Sequence, residues 1–336
     1  MDRIPDGSLT RRRLLAGAGG GLASVGGGVA TYNVFLGYDR FTGTNLHVQD
    51  LDPLVSEHLR PSGETVATVD GYRIELDGDA VAVVDGDERV ATVDPATDSP
   101  AEAAAVDDDL GFDDGPLEAL VADLGALDAG EFEFVYDDYE PFFDLVATGD
   151  DRPYTVSALR GRRTADPATV EAFTGADPTE PKAVVEGLVG GFREHTSYDV
   201  PRYVAGSVED NVVFGAWDLR RHFESPTDFE SIVEGENTGL FCYELTRRSV
   251  EALQAVPARE QTTPVFAGYV KDSRHKHVYT IVASAIREDG DLVVPVTFVD
   301  YTHSTLYDDL RLRRVLGEGL EAYNDRHRAT AIDWYR

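Results

Sequence analysis

The chain has a single cysteine, Cys242, and its position in the sequence makes it the first candidate for chemistry. It follows the turn-like segment 235–239 at the predicted start of a helix, where backbone N–H groups and the helix dipole stabilise a thiolate. The thiolate is the attacking form of cysteine, so this position favours nucleophilic chemistry. The alternatives are an inert buried thiol and an intermolecular disulfide, because one cysteine cannot form an internal bridge.

Two residues further along the chain could activate this thiol. His277 begins a predicted strand after the polar segment 271–276, and Asp300 ends a following strand. In such an arrangement the histidine takes the thiol proton, while the aspartate orients the ring and stabilises the imidazolium. We therefore predict that Cys242, His277 and Asp300 are the catalytic residues.

A second histidine, His275, competes with His277 for the role of base. The alternation of a strand places His277 on the same face as Tyr279 and Ile281. His275 instead lies in the polar loop, and for this reason His277 is the preferred base.

An acyl-transfer site also needs hydrogen-bond donors for the oxyanion of the tetrahedral intermediate. The backbone N–H of Cys242 is the natural first donor, and Asn237 is the candidate second one. Asn237 is equally well explained as a turn residue, so both interpretations stay open. Glu244 is close to the nucleophile in sequence, and we expect a surface or capping role for it.

The sequence points to no cofactor and no metal. There is no Gly-rich phosphate loop, and the acidic run 107–114 lacks the ordered ligand spacing of a calcium loop, so we interpret it as solvated surface acid. The remaining histidines have no spacing typical of a zinc site. They are His47, His58, His195, His222, His303 and His327.

The elements that must position the candidate residues change in type along the second half of the chain. Apolar residues at helical spacing predict helices over 181–193, from Ser207 onward and from about Gly239 to Ala255. Strands are then predicted over 265–270, 277–284 and 292–300, followed by a helix over 306–326. Helices followed by strands indicate the α+β class with an antiparallel sheet.

The first half of the chain has a different pattern of predicted secondary structure. Apolar runs over 65–69, 72–76, 80–84 and 89–93 are separated by Asp-Gly turns and predict a small β-meander. The Ala- and Asp-rich stretch 101–114 is predicted as a loop or linker, with a helix over 116–127 and strands over 132–136 and 142–147.

Three arginines, residues 11–13, precede an uncharged run over 14–38. This pattern resembles a signal for the twin-arginine export pathway. The run is long enough to span a bilayer, and its only Ala-x-Ala triplet lies too close to the arginines for cleavage. We expect an uncleaved membrane anchor that has passed through the twin-arginine translocation machinery, with the remainder extracellular. The alternative is an Arg-rich cytosolic N-terminus.

Composition limits the class of partner. The formal net charge of −32 excludes a nucleic-acid binder held by charge, because such binding needs clustered cations. Hydrophobic residues make up 42% of the chain, enough to bury a core. Carboxylates are abundant and lysines are few, which suggests a halophilic protein whose self-repulsion is screened by concentrated salt.

Four short sequence motifs follow one another between residues 239 and 302. A Gly-x-x-Cys turn ends at Cys242, Pro257-Ala258-Arg259 precedes Gly268-Tyr269, an aromatic lies two residues after His277, and Val299-Asp300-Tyr301-Thr302 comes last.

This order resembles the transglutaminase-like superfamily, which shares the papain-like cysteine-protease architecture, and the resemblance covers roughly residues 181–302. It departs from the family at Tyr279, where tryptophan is usual, in extra residues between Arg259 and Gly268, and in a longer His–Asp interval.

The resemblance implies a papain-like or transglutaminase-like core, with helices packed on an antiparallel sheet, preceded by a small β-rich region. We divide the chain into a signal or anchor over 1–40, a β-rich region with an acidic linker over 41–150, and a transglutaminase-like domain over 151–336.

The implied function is that of an exported thiol enzyme in which Cys242 attacks an amide carbonyl of a peptide or protein substrate. The thioester that forms is resolved by water or by an amine. Hydrolysis is slightly preferred, because no feature marks a site for an amine acceptor. The alternatives are a non-catalytic cell-envelope binding or structural module on the same fold, and an unrelated α+β fold in which Cys242 is a core thiol.

Overall fold

A computed structural model describes residues 51, 54, 59–61, 63, 65–78, 80–151, 153–161, 164–199, 202, 226–235, 238–272, 277–301 and 329–334. The predicted signal over 1–40, the helices predicted from Ser207 and over 306–326, Asn237 and His275 lie outside these residues. The described part is a mixed α+β fold with largely antiparallel sheets, as the sequence predicts. Within it, we find no helix with both the length and the apolar character needed to cross a bilayer.

The β-meander prediction is confirmed. Strands β1 (Thr65–Val69), β2 (Tyr72–Asp77), β3 (Ala80–Asp85) and β4 (Glu88–Val93) pair antiparallel in chain order. The turn between β1 and β2 has positive φ at both central residues, 51° at Asp70 and 91° at Gly71. Aspartate and glycine tolerate this backbone, and so a two-residue hairpin turn forms there.

The prediction of a loop or acidic linker over 101–114 was wrong, because helix α1 (Pro100–Leu110) occupies most of it. Ser99 and Glu102 form a capping box at its start. The carboxylate of Asp107 is buried and accepts two backbone N–H groups from the first turn of α2 (Pro116–Ala129). Part of the acidic run is therefore a helix cap instead of solvated surface acid. The helix predicted over 116–127 is confirmed.

The strand predicted over 142–147 was also wrong, because these residues lie in helix α3 (Tyr139–Thr148). Tyr139, Phe142, Phe143 and Val146 are all buried, and their spacing is that of one helix face. A short apolar run does not distinguish a strand from a buried helix, so the periodicity was misassigned. The preceding strand, β5 (Glu133–Tyr136), is found as predicted.

The larger sheet has seven strands. Besides β5, they are β6 (Asp150–Asp151), β9 (Phe266–Asp272), β10 (His277–Ala283), β11 (Ile286–Glu288), β12 (Asp291–Val299) and β13 (Ala331–Asp333). Their order is β13-β9-β10-β12-β11-β6, with β5 paired parallel to β12. All its other pairs are antiparallel. Strand β5 lies before the predicted start of the transglutaminase-like domain at residue 151, and β6 lies at that boundary, although both strands belong to this sheet. The division of the chain at residue 150 stays a prediction.

The large sheet separates two hydrophobic cores. Residues of the β-meander, α1 and α2 pack on the face that bears Ile281 and Phe298, together with α4 (Pro153–Leu159). Residues of α3 and of four later helices pack on the face that bears Val282 and Val299. Those helices are α5 (Pro167–Thr174), α6 (Pro181–His195), α7 (Phe229–Glu234) and α8 (Cys242–Leu253).

Candidate active site

Cys242 is the first residue of α8 and is partly exposed. The helix was predicted to begin near Gly239, but residues 238–240 form strand β8 (Thr238–Leu240), which pairs parallel with β7 (Thr196–Tyr198). The helix therefore begins three residues later. The residue before it, Phe241, has no side-chain acceptor and cannot cap the N–H groups of the first turn.

Gly239 of the Gly-x-x-Cys turn is required by a close approach to Asp199. A Cβ atom at Gly239 would lie 2.9 Å from the side-chain Cγ of Asp199, shorter than real contacts allow. The backbone N–H of Asp199 also donates to the carbonyl of Leu240. The glycine thus lets the segment before Cys242 pack against the end of β7.

Glu244 holds the start of α8 from inside its first turn. Its Oε2 accepts the backbone N–H of Phe241 at 2.8 Å, and its Oε1 lies 2.7 Å from Nη1 of Arg202. The guanidinium of Arg202 in turn lies over the ring of Phe241, 4.7 Å from the centroid. The expected capping role of Glu244 is therefore found. Arg202 was not predicted, because nothing in the local sequence links residues so far apart.

His277 and Asp300 meet at the end of the large sheet. Strand β10 begins at His277, and β12 ends one residue before Asp300. The register pairs Thr280 with Val299, so the start of β10 and the end of β12 lie at the same end of the sheet, within reach of each other. The Nε2 of His277 lies 2.8 Å from Oδ2 of Asp300, and both side chains are less than one-sixth exposed.

Cys242 completes this arrangement, because its side chain is close enough to the His277 ring to act on it by hydrogen bonding and by charge. Asp300 occupies Nε2, so we assign the interaction with sulfur to Nδ1. Burial by itself lowers the pKa of His277, but the charge and hydrogen bond of Asp300 and the contact with Cys242 raise it well above its usual value. A protonated ring beside sulfur is the partner that a thiolate requires.

A side-chain contact fixes α8 against β10, the strand that begins with His277. The hydroxyl of Thr246, in the second turn of α8, donates to the carbonyl of Val278 at 3.4 Å. Val278 directly follows His277, so the helix bearing the thiol and the strand bearing the imidazole are tied at adjacent residues. Thr246 was not predicted, since only the packing of α8 on β10 gives it this role.

The structure therefore brings together three of the predicted site residues, Cys242, His277 and Asp300. The candidate oxyanion donor Asn237 and the competing base His275 are outside the described residues. Across the described part of the chain, no group of three or more His, Cys, Asp or Glu side chains is arranged to hold a metal ion.

Comparison with known proteins assigns no family to the chain. No family model matches it, and searches of curated proteins and of solved structures give no significant match.

Proposed function

We propose that this protein is a thiol enzyme that acts on peptide or related amide bonds through Cys242, His277 and Asp300. The observation that carries the proposal is the position of His277, whose Nε2 lies 2.8 Å from Oδ2 of Asp300 and whose ring is also within interaction distance of the Cys242 thiol. A buried imidazole held between a sulfur and an aspartate has the geometry of a general base with its orienting group.

The first step forms a thioester. His277 takes the thiol proton, and the sulfur of Cys242 attacks the amide carbonyl carbon, whose π electron pair moves onto oxygen. We assign the backbone N–H of Cys242, at the start of α8, as the first hydrogen-bond donor to this oxyanion. When the carbonyl reforms, the C–N bond breaks and His277 returns its proton to the leaving amine.

The second step releases the acyl group. Water, deprotonated by His277, attacks the thioester carbon and regenerates the thiol, which gives net hydrolysis. An amine in place of water gives acyl transfer by the same proton movements. We favour hydrolysis, because no feature of the sequence marks a site for an amine acceptor.

The fold assignment belongs to the same proposal. Support for a papain-like or transglutaminase-like core comes from the nucleophile at the start of a helix that packs on a largely antiparallel sheet, with the base and the carboxylate on the paired strands β10 and β12. The order of the motifs along the chain agrees with this assignment.

We further propose that the chain is exported by the twin-arginine machinery, stays anchored by its N-terminal segment and works outside the cell in concentrated salt. The arginines at 11–13, the uncharged run after them and the net charge of −32 support this. Lysine replacement of Arg11 and Arg12 is expected to retain the protein inside the cell, as measured by fractionation. Unchanged export would contradict this part of the proposal.

Alkylation by iodoacetamide in concentrated potassium chloride tests the thiol. We expect the folded protein to be labelled at Cys242, the Cys242→Ser variant to remain unlabelled, and His277→Ala to react at least tenfold more slowly, in keeping with the usual contribution of a general base. A thiol that reacts only after denaturation would show a core cysteine and would end the enzyme proposal.

Turnover is tested with a pool of peptide amides incubated with and without a primary amine, and the products are identified by mass spectrometry. Free acids indicate hydrolysis, and new amides that appear only with the amine indicate acyl transfer. A reactive Cys242 that yields neither product would favour the non-catalytic cell-envelope module.

A further inference from the structure

An exposed aromatic ring lies directly beside the proposed nucleophile. Tyr243 is 44% exposed, and Val90 and Val233 are the other exposed large hydrophobic side chains among the described residues. Val90 lies in β4 and Val233 in α7, whereas Tyr243 is the second residue of α8. Of the three, only Tyr243 directly follows Cys242 in the chain.

The ring of Tyr243 is held in a defined position. It stacks on the ring of Tyr269, with centroids 5.7 Å apart and planes inclined by 30°. Tyr269 is itself buried, and the ammonium group of Lys271 lies 5.5 Å from the centroid of its ring. Lys271 is neutralised by Asp333, since its Nζ lies 2.9 Å from Oδ2. The surface formed by Tyr243 and Tyr269 is therefore aromatic and carries little net charge.

Chain and sheet geometry place this surface near the reacting atoms. Tyr243 directly follows Cys242, and Tyr269 lies on β9 opposite Thr280, three residues from His277 on the adjacent strand β10. Neighbouring strands are about 4.8 Å apart, so Tyr243 contacts one strand while the thiol of Cys242 reaches the next. A peptide rises about 3.3 Å per residue when extended, and a side chain one or two residues from the scissile amide therefore reaches the rings.

We propose that Tyr243, supported by Tyr269, is a specificity-determining surface that receives an aromatic or bulky apolar side chain adjacent to the scissile amide. Stacked rings about 4.5–7 Å apart are favourable, and a third ring or a bulky aliphatic group gains both contact area and desolvation there. The paired charges of Lys271 and Asp333 give no net attraction for an acidic side chain. This inference rests on the proposed function of Cys242.

The test compares two chloroacetamides that share a reactive carbon, N-benzyl-2-chloroacetamide and N-ethyl-2-chloroacetamide. In each reaction the sulfur of Cys242 bonds to the CH₂ carbon, chloride leaves with the C–Cl electron pair, and the thiol proton passes to His277. The ratio of the two second-order rate constants, divided by the same ratio for glutathione, measures preference for the ring. We expect a ratio of about five for the wild-type protein, which is typical of one aromatic contact.

Variants of the exposed ring identify the cause of this preference. Tyr243→Ala should reduce the normalised ratio to about one, while Tyr243→Phe, which keeps the ring, should retain the wild-type ratio within a factor of about two. Val233→Ala, an exposed apolar residue on α7, is the matched control and should keep the wild-type ratio.

Two results would overturn the inference and leave the proposed function intact. One is a wild-type ratio of about one with both reagents alkylating the folded protein, and the other is a preference that Tyr243→Ala does not change. If neither reagent alkylates the folded protein, the proposed function fails and the inference fails with it.

Discussion

The hydroxyl of Ser249 donates a hydrogen bond to the hydroxyl of Tyr301 at 2.9 Å, and both side chains are buried. Ser249 lies in the helix that begins with Cys242, and Tyr301 directly follows Asp300. Burial raises the pKa of Tyr301 above its usual value, so the ring stays neutral while Ser249 holds it. Helix α8, which begins with Cys242, and the segment that carries Asp300 therefore share one buried anchor.

Tyr301→Phe removes the acceptor of this hydrogen bond and leaves the buried Ser249 hydroxyl without it. We expect a loss of about 1–3 kcal/mol in the free energy of unfolding, measured by urea denaturation in high salt, together with slower alkylation of Cys242. The double variant Ser249→Ala with Tyr301→Phe should lose less than the sum of the single variants, because neither hydroxyl is then stranded. Additive losses would show that the two hydroxyls are not coupled.

Asp300→Asn should lower the pKa of His277, because the carboxylate charge that raises it is removed while the side-chain shape is kept. A raised pKa in the folded state contributes stability that is fully present below the unfolded value, about 6.5, and is lost as pH rises through the folded value. The stability difference between wild type and Asp300→Asn should therefore be largest below about pH 6.5, while Asp300 is still ionised, and shrink above it. Denaturation across pH and NMR titration of the ring measure the two effects. An unshifted His277 titration would contradict them.

The parts of the fold that were predicted are those decided by local chemistry. The Asp-Gly turns of the β-meander require positive φ, which Asp70 and Gly71 adopt at little cost, and so the four strands could be located from the sequence. The run 142–147 could not be assigned, because packing of Phe142 and Phe143 against the helical core decides its structure. The capping role of Asp107 could not be predicted either, because the N–H groups that it accepts begin ten residues later, in a separate helix.

The candidate site divides in a similar way. Motif order along the chain was enough to select Cys242, His277 and Asp300, which the structure brings together. The residues that hold them were missed. Arg202 reaches Glu244 across 42 residues, and no local pattern connects the two.

Arg160 fastens the far end of the nucleophile helix. Its guanidinium donates to the backbone carbonyls of Leu253, Val256 and Val265, and burial lowers its pKa to about 9. Arg160→Met should cost at least about 3 kcal/mol of unfolding free energy, because several buried carbonyls lose their donor. The matched control is Arg89→Met, at an exposed ion pair, which should change stability by no more than about 1 kcal/mol. Equal effects of the two substitutions would refute the proposed role.

The last prediction concerns the charge balance beside the nucleophile. Arg202 and Glu244 form an ion pair in which both side chains are less than one-fifth exposed, and Glu244 lies in the same helical turn as Cys242. Arg202→Met leaves an uncompensated carboxylate near the thiol, which disfavours the thiolate and should slow alkylation severalfold. Glu244→Gln should not slow it, because a neutral amide still accepts the N–H of Phe241 and the nearby positive charge remains.

The double variant Arg202→Met with Glu244→Gln distinguishes this electrostatic effect from a structural one. Removing both charges should restore alkylation to within a factor of about two of the wild-type rate, because no uncompensated carboxylate remains near the sulfur. If Arg202 acts only by packing on Phe241, the double variant should react as slowly as Arg202→Met alone. Arg73→Met, at the half-buried pair with Glu75 in the β-meander, controls for the general loss of a positive charge and should leave the rate unchanged.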